Sequence, residues 1–128
     1  MDDIKGGSKV WYVADGWMPL KNATKEDPGY EGHEAIMILN TSEKEAKVLM
    51  DIYFEEKDPI EGIELIVSAK RVRCFRMDSP SDIGGVELER LYQYALRFRS
   101  DTEVVVQYGR MDVTQDNLAY IGSMGYSE

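Results

Sequence analysis

The chain has 128 residues and a mass of 14.6 kDa, which is enough for one domain and too little for two ordinary ones. With 43% hydrophobic and 30% charged residues, the composition is that of a folded globular protein and excludes extensive disorder. The 24 acidic residues outnumber the 15 basic ones, and the formal net charge of −9 disfavours general binding to nucleic acid or to anionic membranes.

Apolar runs separated by turn residues predict seven or eight short strands, the eighth being the short run at 119–121. In chain order they lie at residues 10–14, 35–39, 48–54, 63–67, 72–77, 92–98, 104–108 and 119–121. In the third run Val48, Met50, Ile52 and Phe54 alternate with other residues, which predicts that these four side chains share a buried face. The polar segment 21–32, between the first two runs, is predicted to be a long loop.

The segment before the sixth strand has two competing patterns. Leu88, Leu91 and Ala95 fit helical spacing, whereas apolar residues at every second position of 92–98 fit a strand. We expect at most a short helical turn near 86–91, followed by a strand.

The strands follow one another closely, and no long amphipathic helix lies between them. A parallel sheet would need crossover connections of about a dozen residues, usually helical. The pattern therefore predicts an all-β fold, an antiparallel β-sandwich of about seven or eight strands. We expect one domain over residues 1–128, with an ordered core from about 8 to 121 and frayed ends.

The number of cysteines indicates the redox state of the compartment in which the protein is found. Cys74 is the only cysteine, so an internal disulfide cannot form, and a reducing compartment is expected. The first nine residues lack the apolar run of a signal peptide, and no segment approaches the ~20 apolar residues of a membrane-spanning helix. These features predict a soluble, cytoplasmic protein, in which Cys74 is a small buried apolar group.

His33, the only histidine, begins the second strand next to Glu34. Neighbouring residues on a strand point to opposite faces, so these two side chains do not bind one metal ion together. Zinc sites need three or four protein ligands, and we predict neither a metal nor another cofactor. His33 either binds a ligand hydroxyl or bonds to a loop backbone.

Further polar residues lie at strand ends. Gln107, Arg110 and Asp112 follow the strongest strand and suit a polyhydroxylated or carboxylated small molecule. The alternative is that Arg110 pairs with Asp112, while Gln107 bonds to neighbouring backbone. Trp17 follows a turn, where it can stack on a sugar or fill a subunit interface. Arg71 is a candidate anion contact, whereas nearby arginines fit a charged edge strand.

Three motifs carry a family resemblance. Residues 11–19 have the pattern WxxADGxxP, residues 33–40 the pattern HExxxILN, and residues 104–112 the pattern VVVQxxRxD. In this order and spacing, the chain resembles the Anabaena sensory rhodopsin transducer family over about residues 8–121. The resemblance implies a small soluble β-sandwich that forms a homotetramer. It also implies coupling to a membrane photoreceptor or another signalling protein.

The resemblance further implies a non-enzymatic module that binds a small polar ligand such as a sugar. It assigns ligand contacts to His33, Glu34, Asn40, Gln107, Arg110 and Asp112, which are the polar residues of the last two motifs, and to Arg71, which also matches the family pattern. We expect His33, Arg71, Gln107 and Arg110 to line one polar pocket near a sheet end or a subunit boundary, with Trp17 as a candidate stacking wall. No catalytic residues are assigned. The alternatives are an enzyme acting on a small polar metabolite, with His33 or Glu34 as its acid–base group, and a purely structural oligomerisation domain.

Overall fold

The computed structural model describes residues 4–22, 31–113 and 119–128. Within these ranges the fold is an antiparallel arrangement of strands, with a single 3-10 turn at Pro80–Asp82. The strands are β1 (Ser8–Trp17), β2 (His33–Asn40), β3 (Ala46–Phe54), β4 (Ile60–Val67), β5 (Arg71–Arg76), β6 (Gln93–Asp112), β7 (Ala119–Met124) and β8 (Tyr126–Ser127). No helix in these ranges is long and apolar enough to cross a membrane.

The 20-residue strand β6 belongs to both sheets. Its first half pairs with β1 and β3, which gives the first sheet the order β4-β3-β6-β1-β8. Its second half pairs with β2 and β7, and β2 also pairs with β5, which gives the second sheet the order β5-β2-β6-β7. The fold is therefore all-β, as the spacing of the apolar runs predicts.

One hydrophobic core lies between the two sheets. Val48, Met50 and Ile52 are fully buried, and Phe54 packs against the core at the end of β3. The period-two alternation of β3 therefore identifies the inward face correctly. Burying large aliphatic side chains of this kind contributes roughly 1.5–3 kcal/mol each to folding.

Three details differ from the sequence prediction. The runs 92–98 and 104–108 form one continuous strand, because the backbone keeps pairing where the apolar alternation lapses at Ser100. A 3-10 turn lies at Pro80–Asp82, where none was predicted, because Pro80 suits the first helical turn; residues 86–91 form no helix. The C-terminal residues are not frayed throughout, since Tyr126 pairs with Tyr12 of β1.

The two outer sheet faces differ in polarity. The first sheet carries Asp51 paired with arginines from β6. The second sheet carries an outer apolar face, which comprises Met37, Leu39, Val72, Cys74, Tyr120 and Met124. Cys74 is exposed on this face. The prediction that it is buried is wrong, because alternation separates two faces of a strand without showing which one is inside.

Candidate functional site

A fully buried carboxylate, Glu34, joins the two sheets at one end of the sandwich. It lies on the inward face of β2, directly opposite Arg110 of β6. The Arg110 Nε–H donates to Glu34 Oε2 at 3.1 Å. From the first sheet, the Tyr94 hydroxyl donates to Oε1 at 2.6 Å, and the Trp17 backbone N–H lies 3.1 Å from both oxygens. The carboxylate is thus held by three donor groups from two strands, β1 and β6.

The Asp15-Gly16 motif leaves room for this contact. Between Val13 and Gly16 the pairing of β1 with β6 shifts, and Gly16 comes to lie opposite Tyr94. A Cβ atom on residue 16 would lie 2.4 Å from the Tyr94 ring. Only glycine therefore lets the Tyr94 ring pass β1 on its way to Glu34.

Arg110 closes the open side of this group. Its Nε–H also donates to the Tyr108 hydroxyl at 3.0 Å, and Nη2 donates to the Asp15 carbonyl at 3.3 Å. The guanidinium carbon lies 5.6 Å from the centre of the Trp17 ring, within cation–π range. The Trp17 ring thus packs against the Arg110 guanidinium of the same chain, in the place where the sequence led us to expect a ligand to stack.

Burial and charge act on the protonation of this group. Burial raises the pKa of Glu34 above its ordinary value, and the hydrogen bonds from Tyr94, Trp17 and Arg110 oppose this rise without cancelling it. Burial, together with the nearby Glu34 charge, raises the pKa of Tyr94 well above its ordinary value. Tyr94 therefore remains a protonated donor at physiological pH.

Arg90 anchors the irregular segment that precedes β6. Its Nη1 donates to the Pro19 carbonyl at 2.7 Å and to the Gly32 carbonyl at 2.8 Å, and Nη2 pairs with Asp78 at 3.3 Å. The next residue, Leu91, donates its N–H to the Met18 carbonyl at 2.7 Å. These bonds tie the segment to the chain ends flanking the predicted 21–32 loop, of which residues 23–30 lie outside the described ranges.

The backbone of Leu91 is strained. Its φ of +70° lies in the left-handed region, which residues other than glycine rarely adopt. Such conformations persist where surrounding contacts impose them, and they cluster at ligand sites. The bonds made by Arg90 and Leu91 supply those contacts here.

An open cavity of about 320 Å³ lies beside this segment, and we name it the Tyr94 cavity. Its walls include Phe54, Leu88, Tyr92 and Tyr94. Its rim carries Glu55, Glu56, Lys57 and Glu89. A smaller cavity of about 220 Å³ shares Leu88 and includes Arg90 and Asp78. The ring of Tyr94 therefore lines the Tyr94 cavity, while its hydroxyl donates a hydrogen bond to Glu34.

Three predicted site residues have local structural contacts. His33 donates Nδ1–H to the Glu31 carbonyl at 2.8 Å, which is the loop-backbone alternative considered for it. Asn40 is fully buried; its amide donates to the carbonyls of Lys44 and Val67, so it fixes the turn after β2. The exposed Arg71 donates to the Lys70 carbonyl.

The four residues expected to line one pocket do not meet. In the register of β2, Arg110 lies opposite Glu34 and Arg71 lies opposite Asn40, six residues away or roughly 20 Å along the strand. Gln107 is exposed on the outer side, opposite Met37. Arg110 does share one strand end with His33, since β2 begins there.

Two other expectations concern pairing and metals. Arg110 forms ion pairs with Glu34 at 3.1 Å and with Asp15 at 3.9 Å, whereas the alternative expectation paired it with Asp112. Asp112 is half-buried opposite Ala119 of β7. Among the residues the structure describes, no three His, Cys, Asp or Glu side chains come close enough together to hold a metal ion.

Sequence reasoning missed the partners that complete this end of the sandwich. Tyr94 carried a usable signal, since it shares the alternating face of Leu96 and Phe98. Arg90 carried none, and the helical spacing of Leu88 was misleading, because the segment around them is irregular and its position depends on bonds to the carbonyls of Pro19 and Gly32.

The chain matches the family model described as Anabaena sensory rhodopsin transducer over residues 6–127. The chain belongs to this family. Among solved structures, the Anabaena sensory rhodopsin transducer is 25% identical with a TM-score of 0.66, and the match covers 83% of this chain and 91% of that one. No curated protein matches the chain.

A second solved structure supports the fold of this transducer-family protein. The crystal structure of Thermotoga maritima 1070 is 24% identical with a TM-score of 0.82, and the match covers 95% of this chain and 96% of that one. At this level of identity the likeness concerns the fold alone. The match extends over nearly the whole length of both chains.

Proposed function

We propose that this transducer-family chain is a non-enzymatic module that binds a small polar molecule, such as a sugar, and passes a signal to a partner. The observation that carries the proposal is the Tyr94 cavity, whose wall residue Tyr94 is bonded directly to buried Glu34. A volume of about 320 Å³ lies at the lower end of the range for small-molecule sites.

The route of the proposed signal follows the bonded segment. A ligand in the Tyr94 cavity touches Leu88 and Tyr92, which flank the anchored residues Arg90 and Leu91. Any shift of this segment acts on the carbonyls of Pro19 and Gly32 through Arg90. These carbonyls lie at the two ends of the polar segment 21–32, and we propose that a photoreceptor or another signalling protein recognises this end of the protein.

The geometry favours binding over acid–base catalysis. Glu34, one acid–base candidate, has no exposed surface and accepts hydrogen bonds from three groups. His33, the other candidate, uses Nδ1 to bond the Glu31 carbonyl. A general acid or base must reach a substrate proton, which fully buried Glu34 does not do. The bond from Nδ1–H orients the His33 ring and leaves Nε2 as an acceptor, so His33 stays the acid–base candidate of the enzyme alternative.

The outer apolar face supports the proposal of a homotetramer. Val72 is 64% exposed, and Tyr120 and Met124 are exposed to a similar extent. Contiguous apolar surface on a folded domain is typical of an interaction site, and closed symmetry is the usual outcome between identical chains. We keep the cytoplasm as the proposed location, since an exposed free thiol such as Cys74 fits a reducing compartment.

Light scattering tests the assembly. We expect a mass four times 14.6 kDa, and we expect Val72→Glu to dissociate the tetramer by placing a charge on the outer apolar face. Tyr126→Glu is the matched control, because Tyr126 is 71% exposed on the other sheet. A stable 14.6 kDa monomer at micromolar concentration contradicts the proposal.

A thermal-shift screen tests ligand binding. Sugars, sugar acids, nucleotides and small amines are added to the protein, and a compound that binds the folded state raises the melting temperature. Tyr92→Ala removes a cavity wall and should abolish the shift, whereas Tyr126→Ala should leave it unchanged. A screen without any shift, or a shift that survives Tyr92→Ala, contradicts the proposal.

A further inference from the structure

The Tyr94 cavity combines aromatic walls with an acidic rim. Phe54 and Tyr94 lie directly opposite each other on β3 and β6, so their side chains stand next to each other on one face. The Tyr94 hydroxyl is committed to Glu34, which leaves its ring as the part that adjoins the cavity. Tyr92, 63% exposed, adds a third ring.

The rim carries an excess of negative charge. Glu55, Glu56 and Glu89 outnumber Lys57. Within the described ranges, none of these three carboxylates forms an ion pair with a cationic side chain. In a chain with a net charge of −9, this surface attracts cations and repels anions such as sugar acids and nucleotides.

The protein already places one cation on an aromatic wall. The Lys57 ammonium lies 4.3 Å from the centre of the Phe54 ring, well within cation–π distance. Lys57 is exposed and sits in the turn after β3, so its side chain can leave the ring without disturbing the core. The position over Phe54 is therefore suited to an ammonium group and open to exchange.

We propose that the Tyr94 cavity binds a small organic cation, namely a primary or quaternary ammonium on a short apolar body. The ammonium group takes the place of Lys57 over Phe54, the rim carboxylates balance its charge, and the apolar body contacts Leu88 and Tyr92. This inference rests on the proposed function, since it names the ligand class of the same cavity.

The experiment compares charged probes with a neutral probe of the same shape. Isothermal titration calorimetry measures the affinity of the protein for two ammonium probes, choline and n-butylammonium. The neutral probes are 3,3-dimethyl-1-butanol, which has the shape of choline without its charge, and glucose. We expect at least one ammonium probe to bind about tenfold more tightly than the neutral alcohol. Added salt should weaken this binding, because the rim charges are exposed.

Two variants locate the binding. Lys57→Met removes the competing cation and should tighten ammonium binding several-fold, whereas Lys47→Met, whose lysine pairs with Glu64, is the matched control and should change nothing. Phe54→Leu keeps an apolar side chain but removes the ring, and it should weaken binding about tenfold. Because Lys57 is exposed, the Lys57→Met result stands even where Phe54→Leu fails to fold.

The outcomes separate this inference from the proposed function. Glucose or the neutral alcohol binding as tightly as the ammonium probes overturns the organic-cation inference and leaves ligand binding in place. Unchanged ammonium affinity in Lys57→Met also overturns the inference. Failure of every probe, charged and neutral, together with an empty thermal-shift screen, contradicts both.

Discussion

Glu34 and Asp51 are both buried carboxylates bonded to arginine, yet their surroundings differ. Glu34 lies between the sheets and accepts from one arginine, one tyrosine hydroxyl and one backbone N–H. Asp51 lies on the outer face of the first sheet, where Arg97 and Arg99 cover it and the Gly62 N–H donates at 2.9 Å. Each side chain has 0% exposed surface.

The pKa values of these two carboxylates shift in opposite directions. Burial raises the pKa of both, but for Asp51 the hydrogen bonds from Arg99, the Gly62 N–H and Arg97 outweigh burial and lower its pKa below the ordinary value. For Glu34 the single arginine and the neutral Tyr94 donor do not suffice, and the pKa stays raised. Glu34 lies deeper in the protein than Asp51 and has one arginine partner where Asp51 has two, and both differences favour the raised pKa of Glu34.

The largest expected effect comes from Arg110→Ala. This variant leaves Glu34 buried without its cation, and it should lower the free energy of unfolding by about 3–5 kcal/mol. Arg97→Ala should cost only about 1 kcal/mol, because Arg97 is partly exposed and Asp51 keeps Arg99. Urea unfolding of both variants measures the difference.

A double variant controls for lost packing. Arg110→Ala combined with Glu34→Gln removes the stranded charge and should recover part of the stability. Equal losses in Arg110→Ala and Arg97→Ala would show that the two carboxylates are equivalent. The sequence assigned Arg110 to a ligand pocket near a sheet end, and its bond to buried Glu34 gives it a structural role that this assignment did not include.

The sequence predicted the strands better than the site. Alternation in β3 identified Val48, Met50 and Ile52 as core, because inward residues recur every second position. The Glu34–Arg110 pair joins residues 76 apart, and only the register of β2 on β6 brings them together. No local pattern encodes that register, and none encodes the bonds that position the segment of Arg90.

Tyr94→Phe should have the next largest effect. It keeps the ring and removes only the hydroxyl that donates to Glu34, so the free energy of unfolding should fall by about 1.5–3 kcal/mol. Tyr53→Phe is the control, since Tyr53 lies half-buried on the outer side of β3 beside Arg97. If Tyr94→Phe lowers the free energy of unfolding no more than Tyr53→Phe does, the Tyr94 hydroxyl does not stabilise buried Glu34.

The smallest expected effect is the pH dependence of stability. The pKa of Glu34 is raised in the folded protein. The contribution of Glu34 to the free energy of unfolding is therefore complete below the ordinary pKa of 4.5, and it is lost as pH rises through the raised pKa. The pKa of Asp51 is lowered in the folded protein. The contribution of Asp51 to the free energy of unfolding is therefore complete above the ordinary pKa of 3.8, and it is lost as pH falls through the lowered pKa.

Unfolding free energies measured across this pH range check both windows. Glu34→Gln should remove the decline above pH 4.5, and Asp51→Asn should remove the decline below pH 3.8. Profiles that keep both declines in these variants would assign the pH dependence to other groups.

The most direct test is a carbon-13 NMR titration of the two side-chain carboxyl groups in the folded protein. We predict that Glu34 titrates above 4.5 and Asp51 below 3.8 in the same sample. A Glu34 carboxyl that titrates at or below 4.5 would contradict it, because burial beside one arginine would then not separate this site from the outer-face pair.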